Sequence, residues 1–97
     1  MAQFDIYRLR DGRHLVDLQT DLLDIHESRL VAPMVRLSPR LNVSLLSPRI
    51  DHDDRAWLAI VPQMAGVPAR GLGQAVGSAT AFRDDLFRAI DLLTHGF

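Results

Sequence analysis

Along the chain, short alternating runs of apolar and polar residues come first, and a three-and-four spacing comes last. Phe82, Leu86, Ala89, Ile90 and Leu93 recur at helical intervals while Arg83, Asp84, Arg88 and Asp91 fall largely on the other side. That pattern predicts an amphipathic helix over Thr80 to Phe97 with one face in the core. Thr80 is a fitting N-cap, since its hydroxyl can accept from a free backbone amide, and Asp84 and Asp85 favour the positive end of the helix dipole. Gly96 is the natural stop. Only Phe97 follows it, so a large aromatic ring and a terminal carboxylate are expected in solvent unless a partner covers them.

Upstream, Phe4 to Leu9 and His14 to Gln19 are two β-leaning runs around Asp11-Gly12, a dipeptide whose positions tolerate positive φ, so a hairpin is expected there. Thr20 to Ile25 then sets three aliphatics among carboxylates where the chain changes direction; Leu22 and Leu23 are either exposed there or, as most aliphatics are, part of the core. Arg29 to Val35 reads as a third strand, and Pro33, which cannot donate to a ladder, places it at an edge or a bulge. Ser38 to Pro48, with its two prolines and three serines, reads as a connecting arm. Arg55 to Val61 is the best candidate for a central strand, entered through the turn His52-Asp53-Asp54 and closed by Pro62. A last short pair around Val67 to Leu72 leads through Gly73 and Gly77 to the helix. Several short strands followed by one helix predict a mostly β protein, a small antiparallel sheet or partial barrel with the helix packed on it, as a single domain over residues 1–97.

Composition narrows the chemistry. A length of 97 residues gives a domain small enough that dimerisation would help it bury apolar surface. A formal net charge of −1 supplies no global basic field for nucleic acid or an anionic membrane. With no cysteine there is neither a disulfide framework nor a thiolate metal site, and the cytoplasm is the expected compartment. The N-terminus lacks a charged-then-apolar signal pattern, and no apolar run approaches the ~20 residues of a spanning helix, so no membrane role is expected. All 11 basic residues are Arg, which excludes a lysine Schiff base and a P-loop lysine.

The apparent catalytic and ligand motifs have plainer readings. His14, His26, His52 and His95 lack the local spacings that bring two imidazoles to one metal, and no metal or other cofactor is expected. Asp51 to Asp54 begins like a calcium loop but lacks the later glycine and glutamate, which leaves a polar turn. Gly71, Gly73 and Gly77 imitate a dinucleotide fingerprint, with the third glycine one place late and no βαβ unit around it. Ser, His and Asp are all present, yet no nucleophile-elbow motif joins them, so no catalytic residue is assigned.

Four blocks in order carry a resemblance over essentially the whole length: Gln3 to Tyr7, Val16 to Asp24, Met64 to Pro68, and Asp85 to Phe97. Together they resemble the CcdB family of toxins from type II toxin-antitoxin modules. The resemblance implies an SH3-like small barrel of the CcdB/MazF type ending in one long helix, a homodimer, and a non-catalytic protein that poisons DNA gyrase through its A subunit. It also implies a CcdA-like antitoxin that is disordered until it wraps the toxin. Carried over position by position, the gyrase-contacting face is Thr20, Leu22, Leu23, Asp91, Thr94, His95, Gly96 and Phe97. The family's typical Trp-Gly-Ile ending is replaced by His95-Gly96-Phe97, and its Asn one turn earlier by Asp91. The family's tryptophan is thought to stack on a gyrase arginine; a neutral imidazole offers a smaller stacking face, and a protonated one repels the guanidinium.

Two further readings stand beside this one. MazF and Kid toxins resemble the same barrel and cleave single-stranded RNA, and Arg10, Arg13 and His14 are residue types suited to acid-base work on a phosphodiester. A toxin fold retained only for antitoxin binding is the other.

Overall fold

The structure, a computed structural model, describes residues 2–20 and 28–96. The strands are β1 (Asp5–Arg8), β2 (His14–Asp17), β3 (Ser28–Arg36), β4 (Arg49–His52), β5 (Arg55–Ala59), β6 (Ala65–Pro68) and β7 (Gly77–Ser78), and α1 (Arg83–His95) follows. They form one antiparallel sheet in the order β4-β5-β3-β2-β1-β7, with β6 also paired to β3. Ile6, Val16, Ala32, Met34, Ile50 and Ala59 line its inner face, and Leu86 and Ala89 of α1 join the same cluster. The predicted class, mostly β with one C-terminal helix, is what folds.

The sheet curls until its ends nearly meet. A Cβ added at Gly77 on β7 would lie 2.6 Å from Nδ1 of His52 on β4, so the two terminal strands approach through that imidazole. Glycine is required here by closeness. Gly77→Ala is expected to cost about 1–3 kcal/mol, the usual range for overpacking, and His52→Ala in the same chain should recover most of it. Urea denaturation of the single and double variants measures this, and equal losses in both would refute the contact.

Several expectations change in detail. Asp11-Gly12 does close the first hairpin, but not as a two-residue turn: Leu9 N–H donates to Arg13 O at 2.8 Å and Gly12 N–H to Leu9 O at 3.0 Å. Only Gly12 of the pair takes a positive φ, 92°, which gives the three-residue loop with a glycine bulge. The Asp11 carboxylate accepts from the Arg13 backbone N–H at 3.0 Å and from its Nε at 2.7 Å, and these bonds hold it below the usual carboxylate range. The turn at Asp53-Asp54 is the two-residue type instead, with φ of 55° and 59°, and the strand before it, β4, was not foreseen.

Pro33 is not at an edge, because β3 lies between β2 on one side and β5 and β6 on the other. Its missing donor falls where β5 gives way to the 3-10 turn Val61–Gln63 and before β6 takes up the pairing. Pro33 O accepts from Ile60 N–H at 2.8 Å, and only the return bond is lost. β5 is interior, next to β4, but β3 is the strand with most partners. The segments around Val67 to Leu72 do not pair with each other, since β6 joins β3 and β7 joins β1.

The helix also begins differently. A 3-10 turn, Thr80–Phe82, leads into α1, and Phe82, not Thr80, occupies the cap position, without a side-chain cap bond. Ser78 Oγ accepts the Thr80 N–H at 3.2 Å and pairs with the Thr80 hydroxyl at 2.8 Å, so the hydroxyl is engaged behind the helix and not over it. Of the predicted apolar stripe, Leu86 and Ala89 are buried, Phe82 and Ile90 pack at the margin, and Leu93 stays exposed.

Candidate functional site: the end of the helix

Asp91, Thr94 and His95 stand at i, i+3 and i+4 on the last turns of α1, and all are exposed. The helix closes on Gly96 at φ 80°, whose N–H donates to Leu92 O at 3.0 Å, a left-handed cap that glycine adopts without cost. The Thr94 hydroxyl donates back to Ile90 O at 2.8 Å. With the hydroxyl so engaged, Thr94 has less to offer a partner as a donor. Leu93 adds apolar surface beside them. Asp91, Thr94, His95 and Gly96 are thus brought together as one exposed surface.

Of the other predicted contacts, Thr20, Leu22 and Leu23 belong to the segment that leaves β2, and Phe97 follows Gly96. Thr20 is half-buried there, and Leu22, Leu23 and Phe97 lie outside the described residues. Asp17 anchors the segment: fully buried, it accepts from Arg29 Nε at 2.8 Å and from Gln19 N–H at 2.9 Å. Arg29, 6% exposed, also reaches Gln19 O at 3.4 Å. The sequence does not reveal this pair, because the two residues are 12 positions apart and only the β2-β3 pairing unites them.

A second surface went unforeseen. In the arm, Leu41, Val43 and Leu45 are exposed, and Val43, Leu45 and Pro48 with Asp85, Arg88 and Arg49 line a groove of about 400 Å³ against α1. Exposed aliphatics in a short connecting arm were the available signal.

The set Arg10, Arg13 and His14 does not share a site. Arg10 and Arg13 line a cleft with Asp11 and Arg70, and Arg13 is paired to Asp11. His14 turns to another cleft, with Arg8, His52, Asp53 and Val76. Among the described residues no group of three or more His, Cys, Asp or Glu is placed to hold a metal ion, and no helix is long and apolar enough to cross a membrane.

A nearly closed antiparallel barrel with one C-terminal helix, presenting that helix's end to solvent, defines a class of small-barrel proteins. The model of the CcdB family, described as CcdB protein, matches residues 3–96. The chain belongs to the CcdB family. Membership implies a toxin of a toxin-antitoxin module, and gyrase inhibition follows from the family, whose members poison gyrase without being catalysts.

Proposed function

We propose that this protein is the toxin of a type II toxin-antitoxin pair and that it poisons gyrase by docking the end of α1 on the gyrase A subunit. The observation that carries the reading is the exposed, glycine-capped turn bearing Asp91, Thr94 and His95, in a chain that matches the CcdB family over residues 3–96. Thr20, Leu22, Leu23, Gly96 and Phe97 complete the proposed face. The active unit is a homodimer, because two-fold pairing covers apolar surface that so small a domain leaves outside. Surface complementarity does the work, with no cofactor, no membrane and no direct nucleic-acid contact by the toxin, and the cytoplasm is its place of action.

Purified protein incubated with gyrase and supercoiled DNA should accumulate cleaved DNA, and incubated with single-stranded RNA should leave it intact. RNA cleavage without any effect on gyrase would favour the endoribonuclease reading. Arg10 and Arg13 line one cleft and His14 another, which weakens the constellation on which the endoribonuclease reading rests.

The groove of Val43, Leu45, Pro48, Asp85 and Arg88 suits a CcdA-like antitoxin, whose segment would be amphipathic, of mixed charge, and folded only on binding. Leu45 is 59% exposed, so Leu45→Asp should leave stability within about 0.5 kcal/mol. Antitoxin affinity should fall roughly tenfold or more, as hot-spot truncations do, and calorimetry with the cognate antitoxin reads both quantities. Unchanged affinity would place the antitoxin elsewhere.

A further inference from the structure

The inner face of the sheet does not stay apolar to its end. Two residues beyond Ile6, Val16, Met34 and Ile50 the same alternation delivers Arg8, His14, Arg36 and His52, and on β5 the residue two before Ala59 is Trp57. These five side chains gather at one end of the barrel. The His14 ring lies 4.4 Å from Trp57 and 5.8 Å from His52, centroid to centroid, and the Arg36 guanidinium stands 5.7 Å from the Trp57 ring. Trp57 Nε1 donates to His52 O at 3.0 Å, and the His52 ring fills the space that Gly77 leaves on β7. One packed cluster therefore holds β2, β4, β5 and β7 together.

We propose that this cluster is an acid-sensitive closure of the barrel, in which protonation of His14 loosens the contact of β4 with β7. The His14 ring makes a 3.0 Å contact through Nδ1 with Gly12 O; in the neutral ring Nδ1 donates there, so an added proton goes to Nε2. The new cation meets Arg8 from β1 and the His52 ring from β4 in the cleft they share, while Arg36 from β3 stands against the Trp57 ring that His14 also contacts, and Arg55, at the start of β5, shares the inward parity of Trp57. Asp53 is the carboxylate beside them, and it offsets only part of that charge. The Trp57 ring already has the Arg36 guanidinium against it, which limits what a second cation gains from it.

Burial holds the His14 imidazole below its ordinary 6.5, with the Gly12 carbonyl opposing and His52 and Arg8 adding to the effect. For a base whose folded value is depressed, the unfolded chain takes its proton first as pH falls. The stability is therefore complete above about 6.5 and is lost below it.

The chain has one tryptophan, so emission from Trp57 reads the cluster directly. Between about pH 7.5 and about pH 5, the melting temperature should fall by about 4–8 °C, with a parallel change in Trp57 emission before unfolding. His14→Leu, which keeps apolar cover on Trp57, should remove most of both changes. A proton NMR titration of the unaltered protein should show the His14 ring titrating below about 6.5 and the Trp57 indole signal shifting in step with it. A His14 ring that titrates at or above that value, or a Trp57 signal indifferent to it, overturns the proposal even if His14→Leu does not fold.

Discussion

Asp17→Ala should destabilise the protein by about 3–5 kcal/mol, the cost of breaking a buried ion pair by removing one partner. Asp17 is fully buried and Arg29 is 6% exposed, so water replaces little of what the carboxylate supplies. The loss is a large share of the ~5–15 kcal/mol typical of a folded domain, and chemical denaturation will show it as a lower midpoint. Asp17→Leu combined with Arg29→Met should recover much of the stability, since replacing both partners by apolar side chains leaves no buried charge of the pair to compensate. Function should not return with it. Asp17 also accepts the Gln19 N–H, and that bond directs the chain toward Thr20 and the rest of the proposed face.

The second large effect concerns the end of α1. His95→Trp should raise gyrase inhibition by about tenfold, within the range that extra aromatic area over a guanidinium supplies. Phe97→Ala should reduce inhibition, because a terminal ring offers contact surface that a methyl does not. His95 is exposed, so its replacement should change stability by about 0.5 kcal/mol or less. Dose-response curves for inhibition of gyrase supercoiling measure these changes. Equal potency of parent, His95→Trp and Phe97→Ala would remove the tail from the interface.

The helix was legible because Leu86 and Ala89 need only local spacing to be placed inside, and Gly96 ends it by its own conformational freedom. The first hairpin was legible for the same reason, although Asp11 kept Gly12 alone in the left-handed region by binding Arg13. Pro33 misled because the rule about missing donors concerns one face of one bond. β3 meets the rule in its interior by changing partners from β5 to β6 at that point. β4 was hidden between a Ser- and Pro-rich arm and the turn at Asp53-Asp54, with Ile50 its only fully buried apolar side chain. At the proposed site, Asp91, Thr94, His95 and Gly96 were found through family resemblance, and their common face then followed from helical geometry. The Asp17-Arg29 pair and the His14-Trp57-His52 cluster could not be read in advance, since each joins strands whose register the sequence does not state.

The central claim is that the end of α1 is what gyrase recognises, and an arginine placed there tests it most directly. Thr94 is exposed and its hydroxyl bonds only within the helix, so Thr94→Arg should fold normally while setting a bulky cation on the proposed face. With purified gyrase and plasmid DNA, the parent protein should accumulate cleaved DNA and Thr94→Arg should accumulate none above background. Cleavage by the folded variant at the parent's level, or no cleavage by the parent at any concentration, would contradict the account.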